Sequence, residues 1–200
     1  MELTKFDIQY AAIRRSIIEQ HFSHLNEMQL EAVLKTEGPL LILAGAGSGK
    51  TTVLIQRIIN ILRFGRGASC EYAPESASQQ DLAFLMEYLN NPKPEDKQRA
   101  EYLCSVDPAK PWEVIAITFT NKAASEIRER LIQAVGEQQA RAIWAHTFHT
   151  ACLRILRRDI ERLGYDKNFT IYDEDDKKRV ITDILKRMKL DEHMFDPRAV

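Results

Sequence analysis

Lys50 and Thr51 are the two side chains of this chain best suited to hold phosphate. They close the run A-G-A-G-S-G-K-T, Ala44 to Thr51, which follows the apolar stretch Leu40 to Leu43 and precedes a helical stretch from Thr52. The small residues Ala44, Gly45, Ala46, Gly47, Ser48 and Gly49 let backbone N–H groups turn inward on a polyphosphate, and the helix start adds its positive dipole end. Lys50 would reach the β- and γ-phosphates, while the Thr51 hydroxyl would hold Mg²⁺. These two are therefore the expected catalytic pair, and Ala44 to Thr52 the expected nucleotide cradle. The pattern usually opens with glycine, where this chain has Ala44. The alternative is a glycine-rich turn that merely links strand to helix; the lysine, the hydroxyl and the flanking elements argue against it.

Such a cradle needs a strand to deliver it and a helix to receive it. Leu40 to Leu43 is expected to be the first strand, with a helix running on to about Phe64 and stopped by Gly65 and Gly67. Upstream, residues 5 to 22 carry apolar residues at helical spacing, and Asn26 caps a second helix, Glu27 to Lys35. Downstream, Glu113 to Phe119 reads as a buried strand and Asn121 to Val135 as a helix. Ala142 to Ala145 then reads as a third strand and Phe148 to Leu163 as a third helix. Strand and helix repeated three times predict a parallel sheet with helices on both faces. After Asn168 the pattern changes to a short extended piece, Phe169 to Tyr172, a cap at Asp173 and a charged helix, Glu174 to Met188.

Residues 66 to 111 interrupt the alternation. They hold five of the chain's seven prolines and two short helical stretches, Gln79 to Leu89 and Pro94 to Leu103. Within 71 to 107, eight acids face Lys93, Lys97 and Arg99, so this part carries −5 of a total of −1 and the remainder +4. A mildly basic remainder is compatible with a polyanion partner without requiring one. The acidic block is expected to be a surface insertion that projects from the rest and offers room for a protein partner. Cys70, Cys104 and Cys152 are scattered without C-x-x-C spacing, so no zinc or disulfide framework is suggested. The N-terminus lacks the unbroken apolar segment of a signal peptide, and no stretch approaches a membrane span. A cytoplasmic setting with no membrane partner is the expectation.

Three more segments join the glycine-rich run: L-N-E-M-Q (Leu25 to Gln29), A-I-T-F-T-N-K-A-A (Ala116 to Ala124) and T-F-H-T-A-C-L-R-I-L-R (Thr147 to Arg157). Together the four resemble the UvrD/PcrA/Rep-type superfamily 1 DNA helicases, from about Leu25 onward with the break at 66 to 111. The resemblance implies an α/β P-loop NTPase fold of the RecA-like kind, incomplete here: a parallel sheet flanked by helices, with a helical insertion. Residues 1–166 would be the N-terminal part of motor domain 1A and 167–200 the start of the helical accessory subdomain 1B. It implies ATP and Mg²⁺ as cofactors, and single-stranded DNA or a single-strand/duplex junction as partner.

By that resemblance Gln29 reads adenine, a role its carboxamide suits because it can donate to N7 and accept from N6 at once. The alternative is a capping pair with Asn26. Phe119 would stack on a base, and Thr120 and Asn121 would contact phosphates. Against this stand Phe119 as the last buried residue of its strand and Asn121 as an ordinary N-cap. Thr147 and His149 would bind the DNA backbone, unless His149 is a buried, hydrogen-bonded histidine. Thr52 stands where many relatives carry arginine, so a nucleotide contact made by that arginine is missing.

Hydrolysis also needs a second Mg²⁺ anchor, a carboxylate that orients water, and arginines for the γ-phosphate. The family supplies these from a D-E-x-x-D segment and a second motor domain, and these 200 residues contain no D-E-x-x-D segment after an apolar strand. The expectation is an N-terminal piece of a 3′→5′ helicase or translocase that turns over negligibly alone. Two rival classes stay open at this point: a phosphate-loop enzyme of another kind, such as a kinase, and a non-catalytic binding module.

Overall fold

The computed structural model describes residues 2–45 and 47–189. The chain falls into two compact units, Met1–Ala151 and Cys152–Val200.

The first unit opens with α1 (Lys5–His21), fixed at its start by a capping box between Thr4 and Asp7. α2 (Glu27–Leu34) starts from a second box between Asn26 and Gln29. α3 (Lys50–Arg63) begins directly after the glycine-rich run, at Gly49 with φ +84°. α4 (Gln79–Asn90) is boxed by Ser78 and Asp81, and a 3₁₀ turn, Pro94–Asp96, leads into α5 (Lys97–Cys104). β1 (Ile115–Thr118), α6 (Asn121–Val135), α7 (Glu137–Ala142) and β2 (Trp144–Thr147) complete the unit, with the first turn of α8 (Phe148–Asp159). The second unit holds the rest of α8, a 3₁₀ turn at Ile160–Leu163 and α9 (Glu174–Arg187), which Asp173 and Asp176 box. Ile160 and Leu185 are its buried apolar residues among those described.

β1 and β2 pair in parallel, Ile115 opposite Trp144 and Thr118 opposite Thr147, and α6 packs on both strands. Ala116, Ala145 and Thr147 are buried while Ile115 and Ile117 lie half exposed. The sheet thus buries one face, and the expected cover of helices on both faces is absent among the described residues. Leu40 to Leu43 is a further correction: it pairs with neither strand, and Leu41 and Leu43 are 81% and 87% exposed. An extended segment is held as a strand only by a neighbour's ladder of hydrogen bonds, and none of the described residues supplies one. The expected strand Ala142 to Ala145 starts later, because α7 runs through Ala142. Phe169 to Tyr172 is irregular, since it too lacks a partner.

The acidic block does not project. α4 and α5 pack on α1, and Leu82, Leu85, Ala100 and Cys104 join Tyr10, Ile17, Ile18, Phe22 and Phe64 in one core. Arg14 is fully buried there, its guanidinium donating to the carbonyls of Gly67 (2.8 Å), Tyr72 (3.1 Å) and Cys70. Asp7 accepts from the Ala73 amide at 2.9 Å, and the Tyr10 hydroxyl donates to the Leu103 carbonyl at 3.0 Å. The two ends of the block are joined by a parallel bridge between Gly65 and Val106. Gly65 sits at φ +56°, where a Cβ would overlap the Val106 carbonyl oxygen, so only glycine closes this root.

Candidate functional site

The glycine-rich run lies against α2. Lys50, the first residue of α3, folds back so that Nζ donates to the carbonyls of Gly45 (2.6 Å) and Ala44 (3.0 Å). The Ser48 hydroxyl donates to the Gly45 carbonyl at 2.8 Å. Added Cβ atoms at Gly45 and Gly47 would meet nothing within 4 Å, so the outer side of the loop is open. Thr51 and Thr52 follow in the first turn, where backbone amides have no intrahelical acceptor. A lysine ammonium, first-turn amides and a hydroxyl at the start of a 14-residue helix are a donor set that suits a polyphosphate and its metal. Ala46 lies outside the described residues.

Gln29 is brought to the same loop. Its Nε2 donates to the Ser48 carbonyl at 3.1 Å while its Oε1 accepts from the Asn26 amide at 3.3 Å. The Asn26 side chain in turn accepts from the Gln29 amide at 3.0 Å. The capping pair expected as an alternative therefore exists, yet it leaves Nε2 directed at the loop, and the two readings are not exclusive. Around Gln29 lies a cavity of about 420 Å³ lined by Asn26, Met28, Leu41, Leu43, Ser48 and Lys50 among others. Met28, Leu41 and Leu43 give it apolar walls, which the residue pattern alone did not assign to a site.

α3 is anchored behind the loop. Arg57 donates to the carbonyls of Ala32 (2.7 Å) and Lys35, and buried Asn60 donates to the Val33 carbonyl at 2.9 Å. These bonds tie α2 to α3, so Gln29 and Lys50 sit on one scaffold.

A second group gathers at the C-terminal ends of the two strands. Phe119 is 95% exposed, which removes its reading as a buried strand residue. Thr120, not Asn121, is the N-cap of α6: its Oγ1 accepts from the Ala123 amide at 3.1 Å. Asn121 is exposed in the first turn. Thr147 is buried, its Oγ1 2.9 Å from that of Thr150 and accepting from the Thr150 amide at 3.3 Å. His149 is exposed, so it is not a core histidine. Phe148, beside it, is 54% exposed. Among the described residues no group of three or more His, Cys, Asp and Glu is arranged to hold a metal, and no helix is long and apolar enough to cross a membrane.

Comparison with known proteins assigns the family. The model of the UvrD/REP helicase N-terminal domain matches residues 25–71 and 97–200. The skipped stretch, 72–96, holds α4 and the turn after it. A protein named ATP-dependent DNA helicase PcrA from Staphylococcus aureus is 43% identical over 176 residues, covering 88% of this chain and 18% of that protein. The protein of that name from Staphylococcus epidermidis is 41% identical over 175 residues, with the same coverage. This chain thus spans about a fifth of the length of the relatives it matches. With a family match over most of its residues, the chain belongs to the UvrD/REP helicase N-terminal domain family.

Proposed function

We propose that this chain is the ATP- and single-stranded-DNA-binding portion of an ATP-dependent DNA helicase or translocase. The observation that carries the reading is the convergence of Lys50, the first-turn amides of α3 and Gln29 on one open glycine-rich loop. On this reading the fold is a P-loop NTPase of the RecA-like kind. Residues 1–166 form the N-terminal part of motor domain 1A, and 167–200 begin subdomain 1B; the second compact unit itself starts earlier, at Cys152.

Lys50 releases the Ala44 and Gly45 carbonyls to meet the β- and γ-phosphates, and the loop amides from Gly45 to Thr52 line the tail. The Thr51 hydroxyl holds Mg²⁺. Gln29 turns its carboxamide from Ser48 and Asn26 toward the adenine edge. Mg²⁺-ATP, when bound, supplies the phosphoryl group whose transfer drives the motor. Phe119 offers a ring face to a base, and Asn121 and His149 meet the DNA backbone. Thr120 and Thr147 have their hydroxyls engaged by the α6 and α8 starts, so their contribution is to hold those turns in place. A strand or junction as substrate, 3′→5′ movement, a cytoplasmic setting and a role in DNA repair are part of the same proposal, by resemblance to the family. Turnover by these 200 residues is negligible, because they carry neither the D-E-x-x-D carboxylates nor a second motor domain.

Thermal unfolding with and without Mg²⁺-ATP tests the reading. At a hundredfold excess over Kd, binding stabilises the folded chain by about 2.7 kcal/mol; Lys50→Ala is expected to lose nearly all of it. Equal melting of both proteins with and without nucleotide would defeat the proposal. Brisk DNA-stimulated phosphate release from the chain alone would defeat the account of the missing groups.

A further inference from the structure

We infer that Phe148 is a second base-stacking residue, paired with Phe119 in a two-ring platform that takes neighbouring unpaired bases of a single strand. The inference deepens the proposed DNA site and rests on that reading. β1 and β2 are adjacent and parallel, with Thr118 opposite Thr147. Phe119 and Phe148 are the next residue of each strand, so the two backbones leave the sheet from neighbouring positions. Both rings are exposed, at 95% and 54%, in a unit that buries Phe22 and Phe64 completely and half-buries Phe6 and Phe84. Two exposed aromatic rings on adjacent strand ends offer ring faces to a ligand.

The polar groups nearby point to the same recognition mode. Thr120 and Thr147, the hydroxyls expected to grip phosphates, are committed to the Ala123 amide and to Thr150. Beside Asn121 and His149 the ring faces remain, and a ring face stacks on any base. Behind the rings stand the starts of α6, 15 residues, and α8, 12 residues, whose first-turn amides favour an anionic polymer over an acidic protein surface. The His149 ring stands perpendicular to that of Phe148, centroids 6.3 Å apart. Recognition of this kind is indifferent to sequence and responds to the presence of bases, not only of phosphates.

The test compares the wild-type chain with Phe148→Ala, Phe148→Tyr and Phe119→Ala on a dT oligonucleotide and on the same oligonucleotide carrying consecutive abasic sites, by fluorescence anisotropy across a salt series. Phe148→Ala should weaken binding to the dT oligonucleotide about 5- to 150-fold, the range for losing one stacked base. Phe148→Tyr should restore it. On the abasic strand wild type and Phe148→Ala should bind alike, and the salt slope should not change, because no phosphate contact is removed. If Phe148→Ala binds the dT oligonucleotide like wild type while Phe119→Ala is weakened, the platform is wrong and the DNA reading stands. If wild type does not bind either oligonucleotide, the DNA reading fails as well. Unchanged oligonucleotide affinity with an altered sedimentation coefficient would assign the rings to a contact between copies and overturn the inference.

Discussion

His21 lies between an arginine and a glutamate and is still held neutral. Arg63 approaches Nε2 at 3.4 Å while Glu101 stands 3.9 Å from Nδ1. The arginine can donate only to an unprotonated Nε2, so the neutral ring carries its hydrogen on Nδ1, toward the carboxylate. Burial, then Arg63, Lys97 and His24, bring the pKa down to about 4 from the ordinary 6.5. As pH falls, the unfolded chain takes up this proton first. Stability therefore drops between pH 6.5 and about 4 and is level in this group on either side. Urea unfolding across that window is expected to show a loss of order 2 kcal/mol in wild type that His21→Gln does not show. Asp7 and Asp81, held below their ordinary value chiefly by hydrogen bonds from Thr4 and Ser78, act at lower pH and leave the window clear. Arg14 gives a second test. Replacing it with leucine removes the one donor shared by the Gly67, Cys70 and Tyr72 carbonyls, and about 3–5 kcal/mol of stability should go with it.

At the scale of elements, side-chain caps made the helix starts legible. Asn26, Thr4, Ser78 and Asp173 each close a box with the residue three positions on, so α2 and α9 begin where the residues say. The ends of strands were less legible, because a strand is a statement about its neighbour. Leu40 to Leu43 has the composition of a buried strand and remains an exposed extended segment, while Ile115–Thr118 and Trp144–Thr147 find each other. Of the site, the glycine-rich run and its lysine were readable in order along the chain. Its apolar walls at Met28, Leu41 and Leu43 were not, since no spacing rule links a helix start to a loop. The engagement of Thr120 and Thr147 as turn-holders was likewise hidden, because the same hydroxyl serves a cap or a phosphate equally well.

Over the whole molecule, the segments outside the family match are paired with each other. α1 precedes Leu25, α4 lies within 72–96, and the two pack together. An N-terminal helix and an insertion that share a core are expected to be gained or lost as a unit. Replacing 72–96 by a short glycine-serine bridge would strip Leu82 and Leu85 from that core and expose the buried side of α1. Each such leucine is worth about 2–5 kcal/mol, so equilibrium unfolding should show at least about 4 kcal/mol of lost stability. Cys104 belongs to the same core, and burial pushes its thiol up to about 12, so thiol reagents should modify it only after this packing opens.

The order of residues alone determined the glycine-rich run with its lysine, the helix starts and the family, because each depends on neighbours within a few positions and on motifs read in series. Tertiary structure decided which hydroxyls are already spent, which rings face water, and that the acidic block is bound into the core. Those outcomes depend on what lies across the fold from a residue: Arg14 meets carbonyls more than fifty positions away, and no local pattern encodes so distant a partner.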